Sequence, residues 1–433
     1  KIYKMSAIEK IPISSITHSS DNKFTAFNIN NTFYFYDNVN DKLINLDKTQ
    51  QHTAMVRSIE FSKDNRFVVT SSSDKLIKLW DTTDFKNYKT INVNKKIICA
   101  TLNKDDSEIL VSDKCGDVFR FSLVDDSKNA IAVESSDKSN KHDDRENDKN
   151  LAFGHYSSIV DIQFTKCFNY LLSADRDEKI RVSHYPNCFD IERFCLSHSK
   201  YITKVLVFSN KPELMVSGSG DGTIKLWDWK SGKCLQTVDF NDKQAGAITI
   251  PQCYNASSNQ LFVTVEDTPI VYVLTLNGLQ FSTDIKSVTV EGPAVAVDLV
   301  KENTLLVSLF KTEKESNLVN AIDLESLQVV SNDTPLVKNI NSIEQSINSF
   351  KPAELKQIIE NIEKKQYRKH VSYSKNPNGG NKKGGDDEDL SLDEEDLEEN
   401  NNNNNKKDNR PLKLRKMTVE GAKEINEELK EKK

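Results

Sequence analysis

The chain of 433 residues is short of several things, and each shortage narrows the reading. Its seven cysteines, Cys99, Cys115, Cys167, Cys188, Cys195, Cys234 and Cys253, are scattered, odd in number and free of any C-x-x-C pair. A tetrahedral zinc site needs closely spaced ligands and a secreted framework pairs its cysteines, so no metal site is expected and an intracellular protein with idle thiols is the better reading. No apolar run approaches the roughly 18 residues that a membrane-spanning helix needs, so no membrane partner is expected. Lys1–Lys10 lack the apolar stretch of a signal peptide, and because Lys1 is not methionine the natural start is expected to lie elsewhere. There is no G-x-x-x-x-G-K-[ST] loop and no H-E-x-x-H pair, hence no catalytic residue to name.

What is present is repetition. Ser73-Asp74-Lys75-Leu76-Ile77-Lys78-Leu79-Trp80-Asp81 recurs as Gly220-Asp221-Gly222-Thr223-Ile224-Lys225-Leu226-Trp227-Asp228, and a degenerate copy runs from Arg176 to Ser183. Each has a histidine upstream: His52 lies 22 residues before Asp74, His155 22 before Asp177, and His198 23 before Asp221. Between His and Asp lie an alternating strand (Val56–Phe61), a polar turn and a second strand (Phe67–Ser72). A tight turn holding the Asp, a third strand ending in Trp-Asp, and a weaker fourth strand such as Cys234–Val238 complete the unit. Four antiparallel strands every ~40–45 residues with this signature describe a blade of a WD-repeat propeller.

Weaker units fill the gaps: Asn31–Asp37, Ile97–Leu123, Ala247–Leu274 and Ala294–Val329. The expectation is an all-β, seven-bladed propeller over residues 1–335, whose closed ring leaves no open sheet edge. Residues 125–150, rich in Asp, Ser, Lys and Asn, are expected to form a disordered insert. Residues 336–372 are expected to hold a C-terminal amphipathic helix, because Leu355, Ile358, Ile359 and Ile362 follow i, i+3, i+4, i+7 with Pro352 near its first turn. Residues 373–433 read as a disordered acidic, Asn-rich and basic tail.

The recurring His, Ser/Thr and Asp resemble a hydrolase triad, but a catalytic triad occurs once and these occur at a repeat period. His52, Asp74, Trp80, His155, Asp177, His198, Asp221 and Trp227 are therefore read as structural hydrogen-bonding groups of the blades. Gly218-Ser219-Gly220-Asp221-Gly222 has the look of a nucleotide loop, yet the β-branched, alternating Thr223–Trp227 that follows is a strand and not the helix such a loop opens. The segment Leu171–Pro186 departs from the generic blade. Its Trp-Asp pair is replaced by Ser183-His184, charges crowd Arg176–Lys179, and alternation puts Lys179 and Arg181 on one face of the strand. Arg181 also aligns with Lys78 and Lys225, so a basic residue there is typical of the repeat.

That segment resembles one family. Ala174-Asp175-Arg176-Asp177-Glu178-Lys179-Ile180-Arg181-Val182-Ser183, then Tyr185-Pro186 and Phe194-Cys195-Leu196-Ser197-His198, is similar to the WD-repeat subunit of the tRNA (guanine-N(7)-)-methyltransferase. Ser112–Val118 resembles that family's preceding blade, and the likeness covers about residues 50–240; Ser197 stands where a glycine is usual. The resemblance implies a noncatalytic subunit of a heterodimer, partnered by a methyltransferase that binds S-adenosylmethionine and methylates N7 of a guanosine in the tRNA variable loop. This chain would need no cofactor of its own, would hold the partner in its active conformation, and would meet tRNA through the complex. It also implies that Arg181 pairs with a carboxylate of the partner, flanked by Asp177, Lys179 and Arg176. A generic WD scaffold of another complex, in ribosome assembly or ubiquitin ligation, is the alternative.

Charge adds to this. The run Asp386–Glu399 carries ten carboxylates, and without it and the 125–150 insert the formal charge moves from -6 to +7. A basic body suits a phosphate backbone, with Lys364, Lys365, Arg368 and Lys369 as the candidate RNA-backbone patch. The basic stretch Lys406–Lys416 reads as a nuclear-localisation signal.

Overall fold

The computed structural model describes residues 11–125, 150–301, 303–310, 317–330 and 334–343. Within them the chain forms seven antiparallel sheets, each built from consecutive strands, arranged as the blades of a propeller. Blade 1 runs from Ile13 to Ile44, blade 2 from Val56 to Asn92, and blade 3 from Ile97 to Gly154. Blade 4 runs from Ile159 to Leu196, blade 5 from Ile202 to Asp239, blade 6 from Thr249 to Thr289, and blade 7 from Ala294 to Val330. Blade 6 departs from the four-stranded plan. Its long third strand, Ile270–Asn277, pairs with Gln280–Phe281 at one end and Lys286–Thr289 at the other.

Position in the blade explains the sequence pattern. The first strands line the central channel and alternate: in Ile159–Phe164, Ile159, Ile162 and Phe164 are buried, whereas Asp161 and Gln163 meet the channel. The second and third strands are covered by neighbours on both faces, so alternation fades; all of Leu214–Ser219 is buried. The tryptophans of the third strands reach the preceding blade. Trp80 packs 5.3 Å from the Phe33 ring of blade 1, and Trp227 joins Leu172, Ile180 and Val182 of blade 4.

The ring closes where Ile13–His18 of blade 1 meets Ala294–Lys301 of blade 7. Neither blade borrows a strand from the other among the described residues. Side chains make the seam instead: Ile13, Phe27, Val295 and Leu306 share one core cluster, Ser308 Oγ donates to the Ile13 carbonyl at 2.8 Å, and His18 Nδ1 lies 2.8 Å from Asp298 Oδ2. A short helix, Pro335–Asn341, sits over the seam. Its Val337 and Ile340 are buried in the same cluster, and Asn341 Oδ1 accepts the Leu318 and Val319 amides at 2.7 and 3.1 Å. Proline at its first position and apolar residues at 336, 337, 340 and 343 are its sequence signal. The apolar positions that motivated the 336–372 helix lie outside the described residues, as do the tail and nearly all of the insert.

The expectation that closure removes every sheet edge needs correction. Only the inner strands close; each blade keeps an outer edge at the rim. Those edges are short, as in Lys42–Ile44 and Gln328–Val330, or bounded by charge, as in Lys233–Asp239 with Lys233 and Asp239 at its ends, which discourages edge pairing.

Candidate functional site

The turns between second and third strands gather on one face of the propeller with the links between blades. The repeated residues work there as follows. In blade 2, His52 Nδ1 lies 2.9 Å from Asp74 Oδ2 and His52 Nε2 lies 2.8 Å from Thr70 Oγ1, which also accepts from Trp80 Nε1 at 2.9 Å. A carboxylate can only accept, so the ring carries its proton on Nδ1 and Nε2 takes the threonine hydroxyl. Blade 5 repeats the chain with His198, Asp221, Ser217 and Trp227 at 2.9, 2.7 and 2.8 Å. Burial holds His198 below its ordinary pKa, while its hydrogen bond to Asp221 works the other way. All these groups are spent on satisfying one another inside the blade, which leaves no nucleophile facing a substrate.

Blade 4 corrects the sequence reading. His155 Nδ1 bonds Asp175 Oδ2 at 3.0 Å, not Asp177, and Nε2 lies 2.8 Å from Ser173 Oγ. Asp175 ends the second strand at the place of Ser72 in blade 2. Its Oδ1 accepts the Asp177 and Lys179 amides at 2.9 and 3.0 Å, closing the turn that Ser72 and Asp74 close together in blade 2. Blade 3 uses Asp113 alike, accepting from the Cys115 and Asp117 amides. Asp177 is thereby released from the blade network, and its side chain is 48% exposed. The signal was present in the sequence: the Asp-x-x-x-Asp/Lys pattern of Asp113–Asp117 and Asp175–Lys179 is shared by these two blades and absent from blades 2 and 5.

The loss of tryptophan in blade 4 has a structural counterpart. Ser183 stands where Trp80 stands in blade 2, and Arg181 fills the space beside it. Arg181 Nε donates to Ser183 Oγ at 2.8 Å and Nη2 to the Cys188 carbonyl at 2.6 Å, while the guanidinium lies 4.7 Å from the Phe153 ring of blade 3. Burial pulls its pKa down to about 10. Arg181 is 8% exposed, like Lys78 at 8% and Lys225 at 7%. Two-residue alternation therefore does not put this position on an open face, because the third strand has strands on either side and blades above and below. In the free chain the Arg181 guanidinium is thus bonded within the blade and nearly buried.

The other three expected residues surround the turn. Lys179 is nearly buried; its Nζ donates to the Asp177 carbonyl at 3.1 Å and lies 3.9 Å from the Asp177 carboxylate. Glu178 holds a left-handed φ of 73°, the conformation glycine supplies at Gly116 and Gly222 in blades 3 and 5. Arg176 lines the central channel. Exposed Lys114, Tyr156 and Lys200 belong to neighbouring turns and links on the same face. Lys364, Lys365, Arg368 and Lys369 lie outside the described residues. No group of His, Cys, Asp and Glu among the described residues has a metal-binding arrangement.

Comparison with known proteins places this geometry in a family. The tRNA methyltransferase TRM82 WD40 domain matches residues 37–149 and 130–330, spanning all but the first blade. A Dictyostelium discoideum protein called tRNA (guanine-N(7)-)-methyltransferase non-catalytic subunit wdr4 is 58% identical over 100% of this chain and 96% of its own length. The human non-catalytic subunit WDR4 is 28% identical over 52% of each chain, and the Saccharomyces cerevisiae non-catalytic subunit TRM82 is 27% identical over 43% of this chain and 40% of its own. With the family's domain model matched over most of the chain and a relative matched from end to end, the chain belongs to the family of WD-repeat non-catalytic subunits of tRNA (guanine-N(7)-)-methyltransferase.

Proposed function

We propose that this chain is the scaffold half of a heterodimeric tRNA (guanine-N(7)-)-methyltransferase, holding the catalytic subunit in its active conformation for N7-methylation in the tRNA variable loop. The 58% identity over the whole chain to a relative of that name carries the reading. S-adenosylmethionine belongs to the partner. The blade 4 turn is the docking point: Asp177 presents its carboxylate, Lys179 stiffens the turn from beneath, and Arg181 braces the strand behind it against blade 3. An exposed charge contributes mostly to encounter and register, whereas one desolvated on docking contributes to affinity. Lys364, Lys365, Arg368 and Lys369 would follow the tRNA backbone, and Lys406–Lys416 would direct the complex to the nucleus.

The test is copurification of the tagged full chain, with mass spectrometry of tRNA N7-methylguanine in cells with and without it. The expected result is one methyltransferase partner and loss of the modification in cells lacking the chain. Intact N7-methylguanine in those cells would point to a scaffold of another complex. Asp177→Arg should weaken the heterodimer at least tenfold while leaving the free chain's melting temperature unchanged; equal affinity removes Asp177 from the interface.

A further inference from the structure

Side chains of the inner strands tie one blade to the next through bonds that end on the main chain. Glu60 Oε2 accepts the Leu102 amide at 3.0 Å between blades 2 and 3, and Asp161 Oδ2 accepts the Val205 amide at 2.9 Å between blades 4 and 5. Thr203 Oγ1 and Lys204 Nζ donate to the Thr249 and Gln252 carbonyls at 2.6 and 3.0 Å between blades 5 and 6. The join between blades 7 and 1 adds something else. His18 Nδ1, at the end of Ile13–His18, lies 2.8 Å from Asp298 Oδ2 on Ala294–Lys301. Among the described residues no other ion pair links the inner strands of two blades.

The surroundings leave Asp298 as the charge that governs His18. The strands packed on Ile13–His18 are Phe24–Ile29, Val56–Phe61, Ala294–Lys301 and Thr304–Leu309, which bring Arg57, Glu60, Asp298 and Lys301. Arg57 is turned to Ser73 Oγ at 2.6 Å and Glu60 to the Leu102 amide, while Lys301 lies three residues beyond Asp298. In the turn after His18, Asp21 and Lys23 pair with each other at 3.1 Å. Cys253 of blade 6 lies near Asp298, and burial keeps its thiol protonated. Burial opposes a charge on His18, but the hydrogen bond to Asp298 and that carboxylate's charge outweigh it and hold the imidazole above its ordinary pKa. The His18 side chain is 29% exposed, so water can deliver and remove its proton. Neutral His18 can keep Nδ1–H towards the carboxylate, which only accepts. Deprotonation therefore removes the charge from the bond and leaves the bond weaker.

We infer that His18 and Asp298 form a pH-sensitive latch across the join of blades 7 and 1, tightened when His18 is protonated. A group whose pKa is raised by the closed state adds stability that is full below its open-state value, about 6.5 for histidine, and is lost as pH rises through the raised value. The helix Pro335–Asn341 shares the core cluster of this join, so the latch also bears on the point where that helix is held. The inference does not depend on the methyltransferase reading.

The experiment is hydrogen exchange of the full chain, read by mass spectrometry at pH 6 and pH 8.5, for wild type and His18→Gln. Comparing the two chains at each pH cancels the titration of Glu60 and Asp161 at the other junctions. At pH 6 the amides of Ile13–His18 and Ala294–Lys301 should exchange at least about threefold more slowly in wild type, and at pH 8.5 the two chains should agree. Peptides of blade 4 should not differ between the chains at either pH. Should His18→Gln fold poorly, exchange of the His18 ring C2 hydrogen in wild type gives the imidazole's titration point directly, expected above about 6.5. Equal exchange of the two chains at pH 6, a difference of the same size at both pH values, or a titration point at or below about 6.5 overturns the proposal.

Discussion

The hydroxyl at the centre of each blade network should differ in worth between blades 5 and 4, and the structure says by how much. Ser217 Oγ serves two buried partners: it takes the Trp227 indole N–H at 2.8 Å and gives its own proton to His198 Nε2 at 2.7 Å. Ser173 Oγ bonds His155 and has no indole to answer, because the indole's place is held by Ser183. Stranding one buried polar group costs about 1–3 kcal/mol. Ser217→Ala should therefore cost roughly 2–5 kcal/mol and Ser173→Ala roughly 1–3 kcal/mol, with the serine itself fully buried in both. Denaturant melts of the two variants and the wild type, read by one probe, give the comparison. A double-mutant cycle sharpens it: in a Trp227→Phe background, where the indole N–H is gone, Ser217→Ala should fall to about the cost of Ser173→Ala. Equal costs within about 0.5 kcal/mol in the parent, or no coupling to Trp227, would falsify the reading of the hydroxyl as a two-way relay.

Other expectations follow from single contacts. Burial pushes the Glu60 carboxyl up to about 7, so the folded chain binds a proton the unfolded one has lost; wild-type stability should fall relative to Glu60→Gln as pH rises from about 4.5 towards about 7, and parallel melting curves across that range would refute this. A Cβ at Gly116 would stand 2.3 Å from the Ser157 carbonyl oxygen and φ there is 93°, so Gly116→Ala should lower the melting temperature by several degrees. Glu178→Gly relieves a φ of 73° and should raise stability by up to about 1 kcal/mol in thermal melts, and an unchanged or lower melting temperature would refute this. Arg181→Met keeps the stem but drops the bonds to Ser183 and Cys188; it should destabilise the free chain, measured by chemical denaturation, and weaken the heterodimer only through that loss.

The ring was legible in the sequence because each blade repeats one local solution. The His-to-Asp spacing marks buried networks, and alternation marks the channel-lining strands even in blades 6 and 7. Two features were not legible for a common reason: they depend on what covers a residue from outside its own strand. Period-two alternation assigns Arg181 a face but cannot say that blade 3 closes that face with Phe153. Spacing alone favours Asp177 over Asp175 by matching 22 residues, whereas the turn chooses the carboxylate that can also cap two amides. The helix Pro335–Asn341 escaped notice because only seven residues carry it, and its stability comes from the seam it covers rather than from its own propensity.

That seam bears on how the molecule is made. Among the described residues no strand is exchanged between blades 1 and 7, and each strand pairing is completed within one contiguous stretch of chain. Pairings of short sequence separation carry a small loop-closure cost and form early. Each sheet can therefore assemble in the order it leaves the ribosome, with the inner strands docking side by side as they arrive. The one distant encounter, some 280 residues apart at His18 and Asp298, is left to the end and joins finished surfaces. Synthesis of this propeller is sequential until its last act, and the helix that follows blade 7 emerges just in time to cover the join.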